Sequence, residues 1–259
     1  FHAACDHLTA GRLGQAESGF REACERFPSF AEAHANLGFL LDARGETAAA
    51  EAEFREALAL GARNPELFLN LGALLAGARR FEEAQACYEQ GLVHSPESAS
   101  LWTNLGAQWA HRKREAEAQA CYERALEISP EHEPARFNLA YLQLRQGRLK
   151  EGFENLEARD GYAAFSRELG EKHGFARWQG QSLAGKTLLI VCEAGQGDMI
   201  QFCRYAAELK RLGAARVDVL CHPSLARLFE RLDGADRILP LGAPFPLEAW
   251  DFWSPPLSL

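Results

Sequence analysis

Two sets of side chains in this sequence have the type and spacing to do chemistry. The first is a row of asparagines, Asn36, Asn70, Asn104 and Asn138, recurring at one fixed period in the strings H-A-N-L-G, F-L-N-L-G, W-T-N-L-G and R-F-N-L-A. A side-chain amide offers both a donor and an acceptor, so it can pair with the backbone of an extended peptide whatever that peptide's sequence. Asparagine is a poor helix former, so four in register ask for a reason. Two remain open: capture of a peptide backbone, or bonding between neighbouring helices. The second set is the turn Glu193-Ala-Gly-Gln-Gly-Asp198. A dinucleotide fingerprint would need a third glycine where Ile200 stands, and no Gly-Lys-Ser/Thr follows for a Walker-type phosphate loop. What remains is a tight turn, with Gly195 and Gly197, that delivers Asp198 to the start of a helix. Aspartate is a favoured N-cap there, worth about 0.5–2 kcal/mol.

The seven cysteines (5, 24, 87, 121, 192, 203 and 221) are odd in number and contain no C-x-x-C pair. That pattern fits reduced, buried thiols of a cytoplasmic protein better than a disulfide framework or a zinc site, and no metal is expected. Cys87 and Cys121 are separated by the same period as the asparagines, which places them at equivalent points of a repeat.

The elements that position these residues follow from that period. Phe20, Phe54, Tyr88 and Tyr122 form one series; Ala16, Ala50, Ala84 and Ala118 a second; Ala23, Ala57, Gly91 and Ala125 a third; Ala4, Gly38, Gly72, Gly106 and Ala140 a fourth. Prolines 28, 96 and 130 punctuate the unit ends, with Ala62 in the remaining place. Each unit reads as two antiparallel helices. In residues 31–64 these are Ala33–Asp42 and Thr47–Leu60, joined at Arg44-Gly45. Mid-helix glycine costs about 1 kcal/mol relative to alanine, which makes sense where helix axes approach closely. The aromatic of each step is then expected to fill the gap between neighbouring pairs. The pattern resembles the tetratricopeptide repeat, in units 1–30, 31–64, 65–98 and 99–132. A degenerate fifth unit, 133–160, has Leu156 in place of the aromatic and Arg159 in place of the small residue. The expected architecture for 1–160 is an all-α superhelix whose first helices line a concave, partner-binding face. The resemblance extends to superhelices of the O-GlcNAc-transferase type, which carry an asparagine ladder on that face.

Charge separates the two halves. Residues 161–259 hold 11 acidic and 11 basic side chains, leaving 25 acidic against 17 basic in residues 1–160. No basic stripe is available to neutralise phosphates, so nucleic acid is not an expected partner. No apolar run is long enough for a membrane span. The chain opens on Phe1-His-Ala, which is neither a native start nor a signal peptide, and it is read as a fragment.

After residue 160 the period stops. Residues 161–182 read as a connector with one short helix. From 183 on, the alternation is strand Thr187–Cys192, helix about 199–212, strand Val217–Cys221, helix Ser224–Leu232, strand Arg237–Leu241 and strand Trp250–Trp253. That is the start of a doubly wound α/β layer, in which ligands sit beyond the carboxyl ends of the strands, at the 193–198 turn. The strings W-Q-G at 178–180, L-x-G-K-T-L-L-I at 183–190 and E-x-G-x-G-D-x-I-Q-F-x-R-Y at 193–205 resemble a bacterial family. Its members join tetratricopeptide repeats to a glycosyltransferase-like domain of GT-B fold, akin to heptosyltransferases and O-GlcNAc transferases. The match continues through Pro223, Leu225, Leu228, Asp251 and Pro256–Leu259, and departs at Ala194 and Gln196.

The resemblance implies that Asp198 is the general base for an acceptor hydroxyl, with Glu193 second. Base and N-cap stay open as alternatives for Asp198. It also implies inverting sugar transfer in a longer parent and a nucleotide-sugar donor held by a second half beyond residue 259. This chain by itself would then lack the donor site and be inactive. The function expected is recruitment of a protein acceptor to that domain; the alternative is a non-catalytic interaction scaffold.

Overall fold

A computed structural model of the chain describes residues 1–157, 174–192, 195–243 and 250–259. The chain divides into two compact units, Phe1–Ala158 and Arg159–Leu259. The first contains, among the described residues, ten helices: α1 His2–Thr9, α2 Leu13–Arg26, α3 Ala31–Ala43, α4 Thr47–Ala59, α5 Pro65–Gly77, α6 Phe81–His94, α7 Ala99–His111, α8 Glu115–Ile128, α9 Glu133–Arg145 and α10 Leu149–Leu156. They pair in sequence order, and each first helix also touches the first helix of the next pair from α3 to α9.

The glycine series explains this packing, with one correction. A β-carbon on Gly38 would lie 2.7 Å from Phe54 Cδ1, and one on Gly106 would lie 2.6 Å from Tyr122 Cε1. Each aromatic therefore seats on the glycine of its own helix pair, rather than only filling the gap between pairs as the sequence suggested. Phe20, Phe54, Tyr88 and Tyr122 are all buried, and one apolar cluster runs from Ala4 to Cys121 through four pairs. In the fifth pair Leu156 is buried beside Gly152; Arg159 lies outside the described residues.

Arginines near the ends of first helices reach back to glutamates of the preceding second helix: Arg44 to Glu17, Arg80 to Glu51 at 2.6 Å, Arg112 to Glu82 at 2.9 Å and Arg145 to Glu115 at 2.8 Å. These pairs use up part of the acidic excess. The Arg112–Glu82 and Arg145–Glu115 pairs lie at the surface and contribute only about 0–1 kcal/mol each, whereas Glu17 is buried beneath Arg44.

The second unit is a five-stranded, all-parallel sheet in the order β1-β5-β2-β3-β4, with β1 Ala176–Arg177, β2 Thr187–Val191, β3 Arg216–Cys221, β4 Arg237–Pro240 and β5 Phe252–Ser254. Helices α11 Gln196–Phe202, α12 Ala206–Arg211 and α13 Pro223–Phe229 lie along the connections. β2 and β3 are buried along nearly their whole length, as the apolar run of β2 requires; in β3 the run is interrupted by Asp218.

Three expectations are corrected here. The connector contributes β1, held by backbone pairing to Phe252 and Trp253; its residues 161–173 lie outside the described residues. The single helix expected over 199–212 is two, broken by a 3₁₀ turn at Cys203–Tyr205. Trp250 is not in a strand. Its indole N–H donates to Asp218 Oδ2 at 2.8 Å, an oxygen that also accepts from Arg237 at 2.7 Å. Asp218 is fully buried, and the same carboxylate oxygen also lies 3.1 Å from Arg216, so it gathers two arginines and the Trp250 indole.

Candidate functional site

Asn36, Asn70, Asn104 and Asn138 stand at the same place on α3, α5, α7 and α9, the helices that neighbour one another along the stack. Equivalent residues on adjacent, equivalent helices make a row. All four are half-buried, and none of their amides bonds to another group among the described residues. One turn further along each helix sit Phe39, Ala73, Ala107 and Tyr141. Phe39 and Tyr141 are exposed, 44% and 55%, and Tyr141 makes an edge contact with Phe137 at 4.9 Å. The row is thus flanked by apolar surface, with aromatic rings at its ends and methyl groups in the middle. Such a strip can bury side chains of an extended segment while the amides pair with its backbone.

In the second unit the strand order reverses at β2 and β5, which lie side by side and in register from Leu188↔Phe252 to Ile190↔Ser254. β2 ends at Val191 and α11 begins at Gln196; residues 193 and 194 lie outside the described residues. The N-cap expectation for Asp198 is corrected: Gly195 is the cap, extended at φ −68° and ψ 158°, and Asp198 sits in the first helical turn. Asp198 is half-buried, with a carboxylate oxygen 3.6 Å from where a β-carbon of Gly195 would be, and it accepts no hydrogen bond among the described residues. Gly195 and Gly197 are exposed. Glu193 lies outside the described residues.

Three buried cysteines, Cys87, Cys121 and Cys203, are inert by environment. Burial pushes the Cys87 and Cys121 thiols up to about 11 and Cys203 up to about 12, so these are neutral, space-filling groups. No described helix is long and apolar enough to cross a membrane.

A tetratricopeptide-repeat model matches residues 1–65 and 69–133, and a second one matches residues 121–153. A stretch of 102 residues is 35% identical to Protein FlbA of Caulobacter vibrioides; it covers 37% of this chain and 16% of that protein's length. Among solved structures, that of Pseudomonas aeruginosa pilF is 26% identical with a TM-score of 0.56, covering 61% of this chain and 72% of that one. The structure of YrrB, titled a TPR protein with an unusual peptide-binding site, is 21% identical with a TM-score of 0.50, covering 60% and 80%. MamA of Desulfovibrio magneticus RS-1 gives 18% identity and a TM-score of 0.54, covering 60% and 88%. At such distant identities the likenesses to YrrB and MamA speak for the fold alone.

Proposed function

The chain belongs to the tetratricopeptide-repeat family, and on that premise we propose that its first unit binds an extended segment of a partner protein along the row Asn36, Asn70, Asn104 and Asn138. The observation that carries this reading is that four amides in register are half-buried and unsatisfied by the protein, beside an exposed apolar strip. A half-exposed amide with no partner in the fold keeps its donor and acceptor free to pair with a partner's backbone. The concave location of the row and a cytoplasmic setting belong to the same proposal. The test is a peptide selected from a display library against the chain, titrated against Asn70→Ala/Asn104→Ala. Each lost amide–backbone hydrogen bond is worth about 0.5–1.5 kcal/mol, so affinity should fall roughly tenfold or more. The melting temperature should stay put, because the amides hold nothing in the free protein. Equal affinity for the double variant would sink the proposal.

We further infer that the parallel-sheet unit is the acceptor-side half of a GT-B-like glycosyltransferase domain, with Asp198 as general base and Glu193 as second candidate. Support comes from the strand order, which reverses at β2 and β5: doubly wound sheets bind ligands at such a reversal, beyond the carboxyl ends of the strands, and Asp198 follows the end of β2 by seven residues. On this reading the nucleotide-sugar donor is held by the other half of such a domain and not by this sheet unit. Calorimetric titration with UDP-, GDP- and ADP-sugars should give no specific heat, and a micromolar Kd for any of them would show the donor site to be misplaced. The rival is a non-catalytic scaffold, in which the first unit's binding stands alone.

A further inference from the structure

One junction between helix pairs departs from its neighbours at three places together. At the second junction these places are Leu58, Phe68 and Cys87, and one repeat later, at the third, Leu92, Trp102 and Cys121. All six belong to the apolar core of the stack. At the first junction, one repeat earlier, the same places hold Cys24, His34 and Glu53: a thiol, an imidazole and a carboxylate. They come from α2, α3 and α4, and their ligand-type atoms all lie within 4.8 Å of one another.

A group that would orient the imidazole is also present. His34 is 9% exposed, and its Nε2 lies 3.0 Å from the Pro28 carbonyl oxygen, to which it donates. Metal-binding histidines are commonly fixed in this way through the ring nitrogen that does not bind the metal. With the Nε2 proton committed, Nδ1 carries a lone pair, and it faces Glu53 Oε2 at 2.6 Å. Two acceptor atoms at that distance require a cation between them, either a proton or a metal ion. Cys24, half-buried, brings its sulfur within 4.8 Å of the other two ligand atoms.

We propose that Cys24 Sγ, His34 Nδ1 and a Glu53 carboxylate oxygen form a three-ligand Zn²⁺ site at the first inter-repeat junction, with a fourth position left to water. Thiolate, imidazole and carboxylate are all zinc ligands, with bonds of about 2.0–2.3 Å. A tetrahedral ion would spread the nitrogen and carboxylate oxygen to roughly 3.3 Å. Glu53, with 27% of its side chain exposed, has room to make that small retreat. On binding, the thiol proton and the proton bridging Nδ1 and the carboxylate pass to solvent, so affinity rises with pH. The ion ties α2 of the first pair to both helices of the second and stabilises the start of the stack.

The test uses the 259-residue chain, kept reduced with a phosphine, and Co²⁺ as a spectroscopic stand-in for Zn²⁺. One equivalent of Co²⁺ should produce a sulfur-to-cobalt charge-transfer band and tetrahedral d–d bands, all displaced by Zn²⁺. Cys24→Leu should abolish the charge-transfer band and keep the fold, since leucine is the repeat's own residue at that place. Glu53→Gln retains the band but should bind more weakly, by at least the roughly 10–100-fold that losing a hydrogen-bonded partner of a metal ligand costs. Two results would overturn the proposal: no charge-transfer band in the unaltered chain, or an undiminished band in a folded Cys24→Leu variant. The first would leave His34 and Glu53 as a proton-bridged pair, and the second would place the metal on another cysteine.

Discussion

A β-carbon on Gly72 would lie 2.3 Å from Tyr88 Cε1, well inside any real carbon–carbon contact. Tyr88 is 2% exposed, so its ring has nowhere to go. Two effects therefore oppose each other in Gly72→Ala: helix propensity favours alanine by about 1 kcal/mol, and overpacking costs about 1–3 kcal/mol. Overpacking should win, and denaturant unfolding should show a net loss. Gly77, at the end of the same helix, has nothing within 4 Å. Gly77→Ala should be neutral to stabilising by up to about 1 kcal/mol. Equal shifts for the two variants would show that the close approach does not decide the glycine at 72.

The turn within each helix pair offers a second contrast. Residues 11, 45, 79, 113 and 147 occupy equivalent places and all have positive φ; three are glycine, and the others are Arg79 at 62° and Lys113 at 59°. A left-handed conformation costs an ordinary residue about 1–2 kcal/mol. Glycine's extra freedom in the unfolded chain gives back about 0.5–1 kcal/mol of that gain. Arg79→Gly and Lys113→Gly should each stabilise by roughly 0.5–1 kcal/mol, read as a rise in the denaturation midpoint at unchanged slope. A fall in midpoint at both sites would mean that the arginine and lysine side chains hold the turn.

The repeat architecture was legible because residue identity itself recurs: Gly72 with Tyr88 and Gly106 with Tyr122 are the same contact written twice. The second unit was legible in its apolar strands and less so in its boundaries. β1 is held by backbone pairing to Phe252, which no side-chain pattern announces. Asp218 reads as an interruption of an apolar run, and its partners Arg237 and Trp250 are 19 and 32 residues away. Cys24, His34 and Glu53 escaped for a similar reason. Metal spacing rules look within a short stretch, whereas these three come from three helices; the signal was their joint departure from the repeat's own series.

Asp251 fixes β5 to β2. Its carboxylate accepts from the Thr187 N–H at 2.8 Å, from Lys186 Nζ at 2.9 Å and from the Thr187 hydroxyl at 3.0 Å. The Thr187 backbone bond first, and then Lys186, hold its carboxyl down to about 2. A pKa depressed on folding contributes stability above the unfolded value, about 3.9, and that contribution is lost as pH falls toward the folded value. The unaltered chain should therefore be more stable than Asp251→Asn at pH 5 to 7. The difference should shrink between about pH 4 and pH 2, measured as paired thermal melts. A gap that stays constant down to pH 2 would mean that the ionised carboxylate is not what ties the strands.

Asp198→Asn separates the two roles left to that residue. It is not the helix cap, so its structural part is limited to a negative charge in the first turn of α11. Losing that charge costs about 0.3–1 kcal/mol, a shift small enough to leave the fold intact. As a general base it would do far more, because the amide keeps the shape and removes the proton acceptor. Sugar transfer, assayed in a longer protein that carries both halves of the domain, should then fall by roughly 10²–10⁴-fold. With acceptor affinity unchanged, the loss should appear in kcat rather than in KM. Transfer at the unaltered rate would remove Asp198 from the chemistry and move the same test to Glu193→Gln. Undiminished transfer in both variants would remove both carboxylates from the chemistry, whereas no transfer by the unaltered longer protein would favour the scaffold reading of the sheet unit.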